Sequence, residues 1–124
     1  MPAPPLVVVV DRDPVFRLLV VALLEDTHRT TEAVDAYEAG YLWRTYAPDL
    51  VVARRAAAIE LSRVLVAPAD GSPGSPPPAL IVVTDTGPVS LRYDGVAAAV
   101  HRSRFVADLP QALAWALAAR ERRR

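Results

Sequence analysis

Three short apolar runs, each followed directly by polar or charged side chains, indicate the architecture of this chain. They are residues 6–10 before Asp11, residues 50–53 before Arg54, and residues 79–83 before Thr84 and Asp85. Runs of this length that are rich in Val, Ile and Leu are typical of buried parallel strands. Because the carboxyl ends of parallel strands meet along one edge of an open α/β sheet, the residues after the runs are predicted to form the functional site.

Helical patterns separate the runs, so strands and helices are predicted to alternate. Asp13 and Pro14 mark the start of a helix, because an acidic N-cap precedes a proline in the first helical position. Pro48 ends the second helix, since the residue before a proline avoids helical geometry. The predicted helices cover about residues 14–25, 36–46, 56–66 and 109–120, with Asp108 as the N-cap of the last, and the remaining strands cover residues 29–33 and 96–100.

Length and composition fit one globular domain of the cytoplasm. With 124 residues and 52% hydrophobic content, the chain can bury a core. Cysteine is absent, which is compatible with a reducing compartment. The first residues lack the basic region of a signal peptide, and no apolar stretch approaches the roughly 18 residues that cross a bilayer. We expect flexible segments at residues 1–5 and in the Pro/Gly-rich loop at residues 68–78.

Over nearly its whole length, the chain resembles the receiver domain of bacterial two-component response regulators. The matching segments are Val-Val-Asp-Arg-Asp-Pro at 9–14, residues 28–50 with the Ala-Pro-Asp-Leu-Val-Val around residue 50, Ile-Val-Val-Thr at 81–84, and Gly-Val-Ala-Ala-Ala-Val-His-Arg-Ser at 95–103. The resemblance implies a single flavodoxin-like (CheY-like) α/β domain of three layers over residues 1–124. Its five-stranded parallel sheet would have the order 2-1-3-4-5, with helices on both faces.

The resemblance also implies an unusual fourth helix. The segment between Thr84 and Arg102 is shorter than in a typical receiver, and Gly87-Pro88 interrupts the place where helix four should begin. We therefore expect helix four to be short or irregular. In receivers, helix four, strand five and helix five form the face that binds partners, so this face is the expected surface for a protein partner or a homodimer.

The family's functional residues match this sequence only in part. Receivers hold magnesium with an acid pair after strand one; Asp11 matches the first acid, but Arg12 occupies the second position. The phosphoacceptor aspartate ends strand three, and that position is Arg54. Thr84 matches the conserved hydroxyl residue, whereas Arg102 replaces the lysine. All 14 basic residues are arginines, so the chain has no lysine; with its many Ala, Val and Pro residues, this indicates a GC-rich bacterial genome.

An arginine at position 54 is incompatible with phosphotransfer there. A guanidinium has five hydrogen-bond donors and no acceptor, and its pKa lies above about 12, so it can neither attack phosphorus nor coordinate magnesium. The sequence therefore predicts no enzymatic activity, no metal and no cofactor. Residual phosphotransfer to Asp11 or Asp13 is a remote alternative, which would require an acid to move into the acceptor's position.

Charge balance suggests what replaces the phosphorylation pocket. The degenerate pocket at the strand ends would contain three positive and three negative residues: Arg12, Arg54 and Arg102 against Asp11, Asp13 and Asp85. We predict that Arg54 pairs with Asp11 or Asp13 through charge-assisted hydrogen bonds. Two alternatives stay open: Arg54 could point into solvent, or Arg12, Arg54 and Arg102 could bind an anion together.

The remaining candidate features favour structural roles. Trp43 and Trp115 are predicted to pack in the core rather than at an interface. The basic C-terminal end, residues 120–124, is interpreted as a solvated helix end rather than a nucleic-acid contact, because the formal net charge is zero. His28 and His101 lack companions for metal binding.

The sequence thus predicts a stand-alone, degenerate receiver that binds a protein partner in a regulatory pathway without phosphorylation. The alternative function is a sensor of a small anionic ligand, bound among the arginines at the strand ends. Neither nucleic acid nor a membrane is an expected partner.

Overall fold

A parallel sheet lies at the centre of the fold in the computed structural model, which describes residues 3–65, 77–85 and 91–122. Its five strands have the order β2-β1-β3-β4-β5, as the resemblance implied. The strands are β1 (Leu6–Val10), β2 (Arg29–Ala33), β3 (Leu50–Arg54), β4 (Ala79–Thr84) and β5 (Ala97–His101). The helices are α1 (Pro14–Leu24), α2 (Ala36–Tyr46), α3 (Arg55–Val64) and α4 (Phe105–Arg122), the last preceded by a 3₁₀ turn at Arg102–Arg104.

Alternating side chains of the strands divide the core into two layers. On one face, Val7 and Val9 pack in a cluster with residues of α1 and α4. On the other face, Val8 and Val10 pack with residues of α2 and α3. All four of these valines are completely buried, which explains why the run in β1 is continuously apolar. The predicted three-layer α/β fold is therefore confirmed.

The predicted ends of the first two helices are also confirmed. Asp13 caps α1, because its Oδ1 accepts a hydrogen bond of 2.9 Å from the Val15 N–H. Asp35 caps α2 in the same way, with Oδ1 accepting from the Glu38 N–H at 2.9 Å. Ala47 ends α2 in the left-handed conformation, with φ of 46°, immediately before Pro48.

The last helix begins earlier than predicted. The sequence placed its start near Leu109 with Asp108 as N-cap, but α4 begins at Phe105 and Asp108 lies within its first turn. The 3₁₀ turn before α4 is instead capped by His101, whose Nδ1 accepts from the Ser103 N–H at 3.1 Å. The helical apolar spacing explains the longer helix, since Phe105 continues the buried stripe of Leu109 and Leu113 by one more turn.

The connection between β4 and β5 contains no helix over residues 91–96, the part that the structure describes. Gly87 and Pro88, where helix four was expected to begin, lie outside the described residues, as does most of the predicted loop at 68–78. Within the described part of this connection, Leu91 and Tyr93 pack against the sheet on the α2–α3 side. The Tyr93 hydroxyl donates a hydrogen bond to the Pro78 carbonyl, and burial raises the pKa of Tyr93.

Trp43 and Trp115 have different environments. Trp43 is partly buried and packs on the α2–α3 side of the sheet, which agrees with the prediction of core packing. Trp115 is 53% exposed, so the same prediction is wrong for this residue. Its neighbours explain the difference, because Leu113 and Ala116 occupy the buried face of α4.

A buried ion pair connects the end of α4 to the amino edge of the sheet. Arg120 is only 4% exposed. Its Nη1 donates to Asp49 Oδ1 at 3.2 Å, and its Nε donates to the Pro77 carbonyl at 3.1 Å. The other oxygen of Asp49 accepts from the Leu6 N–H at 3.0 Å. The interpretation of residues 120–124 as a solvated end is therefore wrong for Arg120, while Arg123 and Arg124 lie outside the described residues.

We expect Arg120→Ala to lower the free energy of unfolding by about 2 kcal/mol, because Asp49 and the Pro77 carbonyl lose a buried donor. Arg122→Ala is the matched control: this arginine is in the same helical turn but exposed, so its effect should stay within about 0.5 kcal/mol. Urea unfolding followed by circular dichroism measures both variants. Equal effects would contradict a structural role for the pair.

Candidate functional site

The carboxylate of Asp11 lies at the carboxyl edge of the sheet and accepts three hydrogen bonds, at least one on each oxygen. Asp11 directly follows β1, and the residue is 5% exposed. Its Oδ1 accepts from the Asp13 N–H at 2.8 Å and from Arg54 Nη2 at 2.6 Å. Its Oδ2 accepts from Arg54 Nε at 2.5 Å. The two side chains thus form a bidentate ion pair between the ends of β1 and β3.

The guanidinium of Arg54 also lies on an aromatic ring. Its Cζ is 5.1 Å from the centre of the Phe16 ring, within the range of a cation–π interaction. Phe16 in turn contacts Phe105, with 6.0 Å between ring centres and a tilt of 42°. Arg54 therefore links the strand ends to α1 and, through the two rings, to the start of α4. The predicted pairing of Arg54 is confirmed, and Asp11 is its partner.

The pKa values of both partners favour the charged pair. Burial alone would raise the pKa of Asp11, but the hydrogen bonds from Arg54 and the Asp13 N–H, together with the charges of Arg54 and Arg17, lower it overall. The hydrogen bond to Asp11 raises the pKa of Arg54 and outweighs the opposite effect of its partial burial. The pair therefore remains ionised at neutral pH.

Asp13 and Thr84 lie at the same carboxyl edge of the sheet as the Asp11–Arg54 pair. The carboxylate of Asp13 is used as the N-cap of α1. This explains why Arg54 pairs with Asp11 and not with Asp13. Thr84 is the last residue of β4 and is 6% exposed.

The other predicted arginines are on different sides of Arg54. Arg12 lines a cavity of about 410 Å³ that also includes Asp35 and Glu60. Arg102 lines a second cavity, of about 370 Å³, and lies 3.7 Å from Asp85 in a largely exposed ion pair. Arg54 lines both cavities. No described cavity thus includes Arg12, Arg54 and Arg102 together.

Three residues that the sequence analysis did not assign to the site take part in it. Arg17 donates from Nη1 to the Asp11 carbonyl at 2.6 Å and from Nε to Glu32 at 3.0 Å. Phe16 belongs to the buried core, and its ring also lies against the Arg54 guanidinium. Arg55 lines the smaller cavity beside Arg54. For Arg17, the sequence signal that could have placed it in the site was its position one helical turn after the N-cap Asp13.

The residues present do not fit the magnesium ion that a receiver fold implies. Both oxygens of Asp11 are bonded to Arg54, and the carboxylate of Asp13 caps a helix. Magnesium requires several oxygen ligands in near-octahedral geometry, which a guanidinium cannot provide. Within residues 3–65, 77–85 and 91–122, no cluster of three His, Cys, Asp or Glu side chains could hold a metal ion.

The chain has the fold of response-regulator receiver domains. No protein-family model and no curated protein matches the sequence. Solved structures do match. The N-terminal domain of a response regulator/sensory box/GGDEF three-domain protein from Carboxydothermus hydrogenoformans has a TM-score of 0.75 at 14% identity, with coverage of 95% of this chain and 98% of that one.

Two further structures agree. The signal receiver domain of an HD domain-containing protein from Pseudomonas fluorescens has a TM-score of 0.74 at 20% identity, covering 95% of this chain and 98% of that chain. A CheY-like receiver domain from Methanospirillum hungatei has a TM-score of 0.72 at 18% identity, covering 98% and 100%. At these identities the similarity establishes the fold. None of the described helices is long and apolar enough to span a membrane.

We expect Arg54→Ala to lower the free energy of unfolding by about 2 kcal/mol at pH 7, because the buried Asp11 carboxylate loses its cation. The pKa of Asp11 is lowered in the folded state. The contribution of the pair is therefore fully present above the unfolded pKa of about 4 and is lost as the pH falls through the folded pKa. The difference between wild type and variant should shrink below pH 4.

Urea unfolding at a series of pH values tests this expectation. Arg12→Ala is the control, since Arg12 is exposed and the donors to the Asp11 carboxylate are Arg54 and the Asp13 N–H. A difference between wild type and Arg54→Ala that is unchanged from neutral to acidic pH would contradict the ion-pair interpretation.

Proposed function

We propose that this receiver-fold chain is a degenerate signalling domain that acts by protein–protein interaction without phosphorylation, in the cytoplasm of a bacterium and in a two-component-like or regulatory pathway. The observation that supports this function most directly is the bidentate Asp11–Arg54 pair. Each of the two roles at this edge of a receiver, holding a metal and accepting a phosphoryl group, requires oxygen atoms that are free to react. Here the Asp11 oxygens are bonded, and Arg54 supplies none.

The same pair supports a single, constitutive conformation. In a phosphorylated switch, the charge at the acceptor changes and neighbouring side chains rearrange in response. The charge of Arg54 is permanent, and its guanidinium is held by Asp11 on one side and by the Phe16 ring on another. We infer that the chain presents one docking surface at all times, and that regulation comes from the amount or the location of its partner. On this proposal, the chain is not an enzyme.

The docking surface that we propose consists of β5, the 3₁₀ turn and α4. The described residues between β4 and β5 include no helix that covers β5, and Ala97, Ala99 and His101 are exposed. Trp115 and Val106 on α4 are exposed by 53% and 61%. Exposed aromatic side chains of this kind are enriched at binding hot spots.

An amide NMR titration with magnesium and beryllofluoride, a mimic of the phosphoryl group, tests phosphorylation independence. We expect no shifts around residues 11, 54 and 84, because the Asp11 carboxylate is occupied and position 54 carries no oxygen. Shifts at these residues that require both reagents would contradict the proposal.

Arg54→Asp is the matched comparison in the same titration. This variant removes the guanidinium and adds a carboxylate near Asp11. Two carboxylates at one sheet edge attract a divalent cation, so magnesium-dependent shifts should appear around residues 11 and 13. Shifts in Arg54→Asp but not in wild type would mean that Arg54 is the residue that prevents magnesium binding.

A sensor of a small anion is the second candidate function. The cavity of about 370 Å³ supports it, because Arg54, Arg55 and Arg102 line it. The N-cap position of α3 is Arg54, which makes no side-chain cap hydrogen bond, and the guanidinium donors of the three arginines line the cavity beside this helix start. Asp85 competes with an anion for these donors, and the Arg54 guanidinium is already bonded to Asp11. We therefore rank this function below protein docking.

Thermal unfolding in the presence of inorganic phosphate distinguishes the two functions. If the chain is a protein-docking domain, phosphate should leave the midpoint temperature unchanged relative to chloride at equal ionic strength. If it is an anion sensor, phosphate should raise the midpoint, and Arg102→Ala and Arg54→Ala should abolish that rise. Arg12→Ala, which changes the other cavity, should keep it.

A further inference from the structure

The cavity of about 410 Å³ beside Arg54 lies where the helices change from one face of the sheet to the other. In the strand order, β1 lies between β2 and β3, and α1 packs on one face of the sheet while α2 and α3 pack on the opposite face. Open α/β sheets bind ligands at such a point, at the carboxyl ends of the strands. The position of the cavity therefore favours a binding site, and the chemistry of its walls indicates the ligand.

Arg12 and Glu60 line this cavity with opposite charges, and neither charge is used. Both side chains are exposed, and they come from the loop after β1 and from the second turn of α3. Among the described residues, neither side chain forms a hydrogen bond or an ion pair, with the other or with a third group. Asp11, the acid that precedes Arg12, is bonded to Arg54 instead. The cavity thus presents a cation and an anion that are both available to a ligand.

Asp35 supplies a second carboxylate at the same cavity. Its Oδ1 accepts from the Glu38 N–H at 2.9 Å, and the described residues place no donor on its other oxygen. Because Asp11 neutralises Arg54, the charges that remain at the cavity are one guanidinium and two carboxylates. An anion alone would bond to Arg12 but would be repelled by both acids. A ligand that carries a carboxylate and an ammonium group matches all three side chains, since the ammonium has three donors to share between two acids.

The rest of the cavity wall is apolar. Val34 is 42% exposed there, although it is a large aliphatic residue. Ala36, Ala56 and Ala57 line the cavity beside it and leave room for a side chain larger than their own. An aliphatic group of a ligand would cover this wall and remove apolar surface from water.

We propose that this cavity binds a free α-amino acid with an aliphatic side chain. Its carboxylate bonds to Arg12, its ammonium group bonds to Glu60 and Asp35, and its side chain packs against Val34. The site is separate from the cavity lined by Arg55 and Arg102, which was considered above for a simple anion. The inference goes beyond the proposed function and does not depend on it, because protein docking without phosphorylation uses other surfaces of the chain.

An amide NMR titration of the full chain with L-leucine, L-isoleucine, L-valine and L-methionine tests the proposal. At least one of them should shift the signals around residues 12, 34–36 and 56–60. We expect a dissociation constant of about 1 mM or lower, because charge-assisted hydrogen bonds hold both ends of the ligand. Inorganic phosphate, which has no ammonium group, should leave these signals unchanged at equal ionic strength.

Analogues with a single charge show whether both ends of the ligand are recognised. For leucine, leucinamide keeps only the ammonium group and 4-methylpentanoate keeps only the carboxylate. Each should bind about tenfold or more weakly than leucine, because one charged side chain of the cavity loses its partner. This comparison needs no change in the protein, so it stands even where a variant fails to fold.

Glu60→Gln and Arg12→Gln remove one charge of the cavity at a time and should each raise the dissociation constant about tenfold or more. Glu38→Gln and Arg63→Gln are the matched controls, since both residues are exposed on α2 and α3 and neither lines the cavity. The controls should bind like wild type, as should Arg102→Ala, which changes only the other cavity.

The proposal is overturned if none of the four amino acids shifts these signals at about 10 mM, ten times the expected dissociation constant. Equal binding of leucine and 4-methylpentanoate would also overturn it, because the cavity would then be a site for anions. Binding that Glu60→Gln and Arg12→Gln leave unchanged would place the ligand elsewhere. None of these results bears on the titration with magnesium and beryllofluoride, so the two proposals fail separately.

Discussion

A carboxylate buried at the edge of the sheet requires a cation, and the rest of the site follows from the cation that this chain supplies. Asp11 is held almost out of contact with water, where an uncompensated negative charge would be strongly unfavourable. A metal ion could leave such a site and return to it. The guanidinium of Arg54 is covalently part of β3, so charge compensation is complete as soon as the strands pair. The environments of Phe16, Arg17 and the start of α1 are all arranged around this neutralised carboxylate.

Most of the fold could be predicted because its signals are local. The apolar runs of β1, β3 and β4 are continuous, the cap at Asp13 and Pro14 is a short chemical pattern, and Pro48 limits α2. Within the site, counting charges was enough to predict that Arg54 pairs with an acid. It was not enough to choose Asp11 over Asp13, because that choice depends on the hydrogen bond between the Asp13 carboxylate and the first turn of α1.

The wrong predictions concern residues whose environment is set by distant parts of the chain. Arg120 looks like the first residue of a charged tail, but Asp49 lies 71 positions away in sequence and meets it at the amino edge of the sheet. Trp115 looks like a core residue by its size, but its exposure follows from the way α4 packs. The start of α4 was misplaced because Asp108 is a good N-cap in isolation, whereas the contact of Phe105 with Phe16 favours a longer helix.

The two ion pairs lie at opposite ends of one strand, and together they fix its alignment. Leu50, Val51, Val52 and Ala53 are similar apolar residues, so a shift of β3 by two positions would keep the same side chains on each face. Such a shift moves the strand by about 6.6 Å. It would separate Asp49 from Arg120 and Arg54 from Asp11 at the same time. The charges at the two ends therefore fix the register of β3 between its neighbours, although its apolar residues alone would allow more than one.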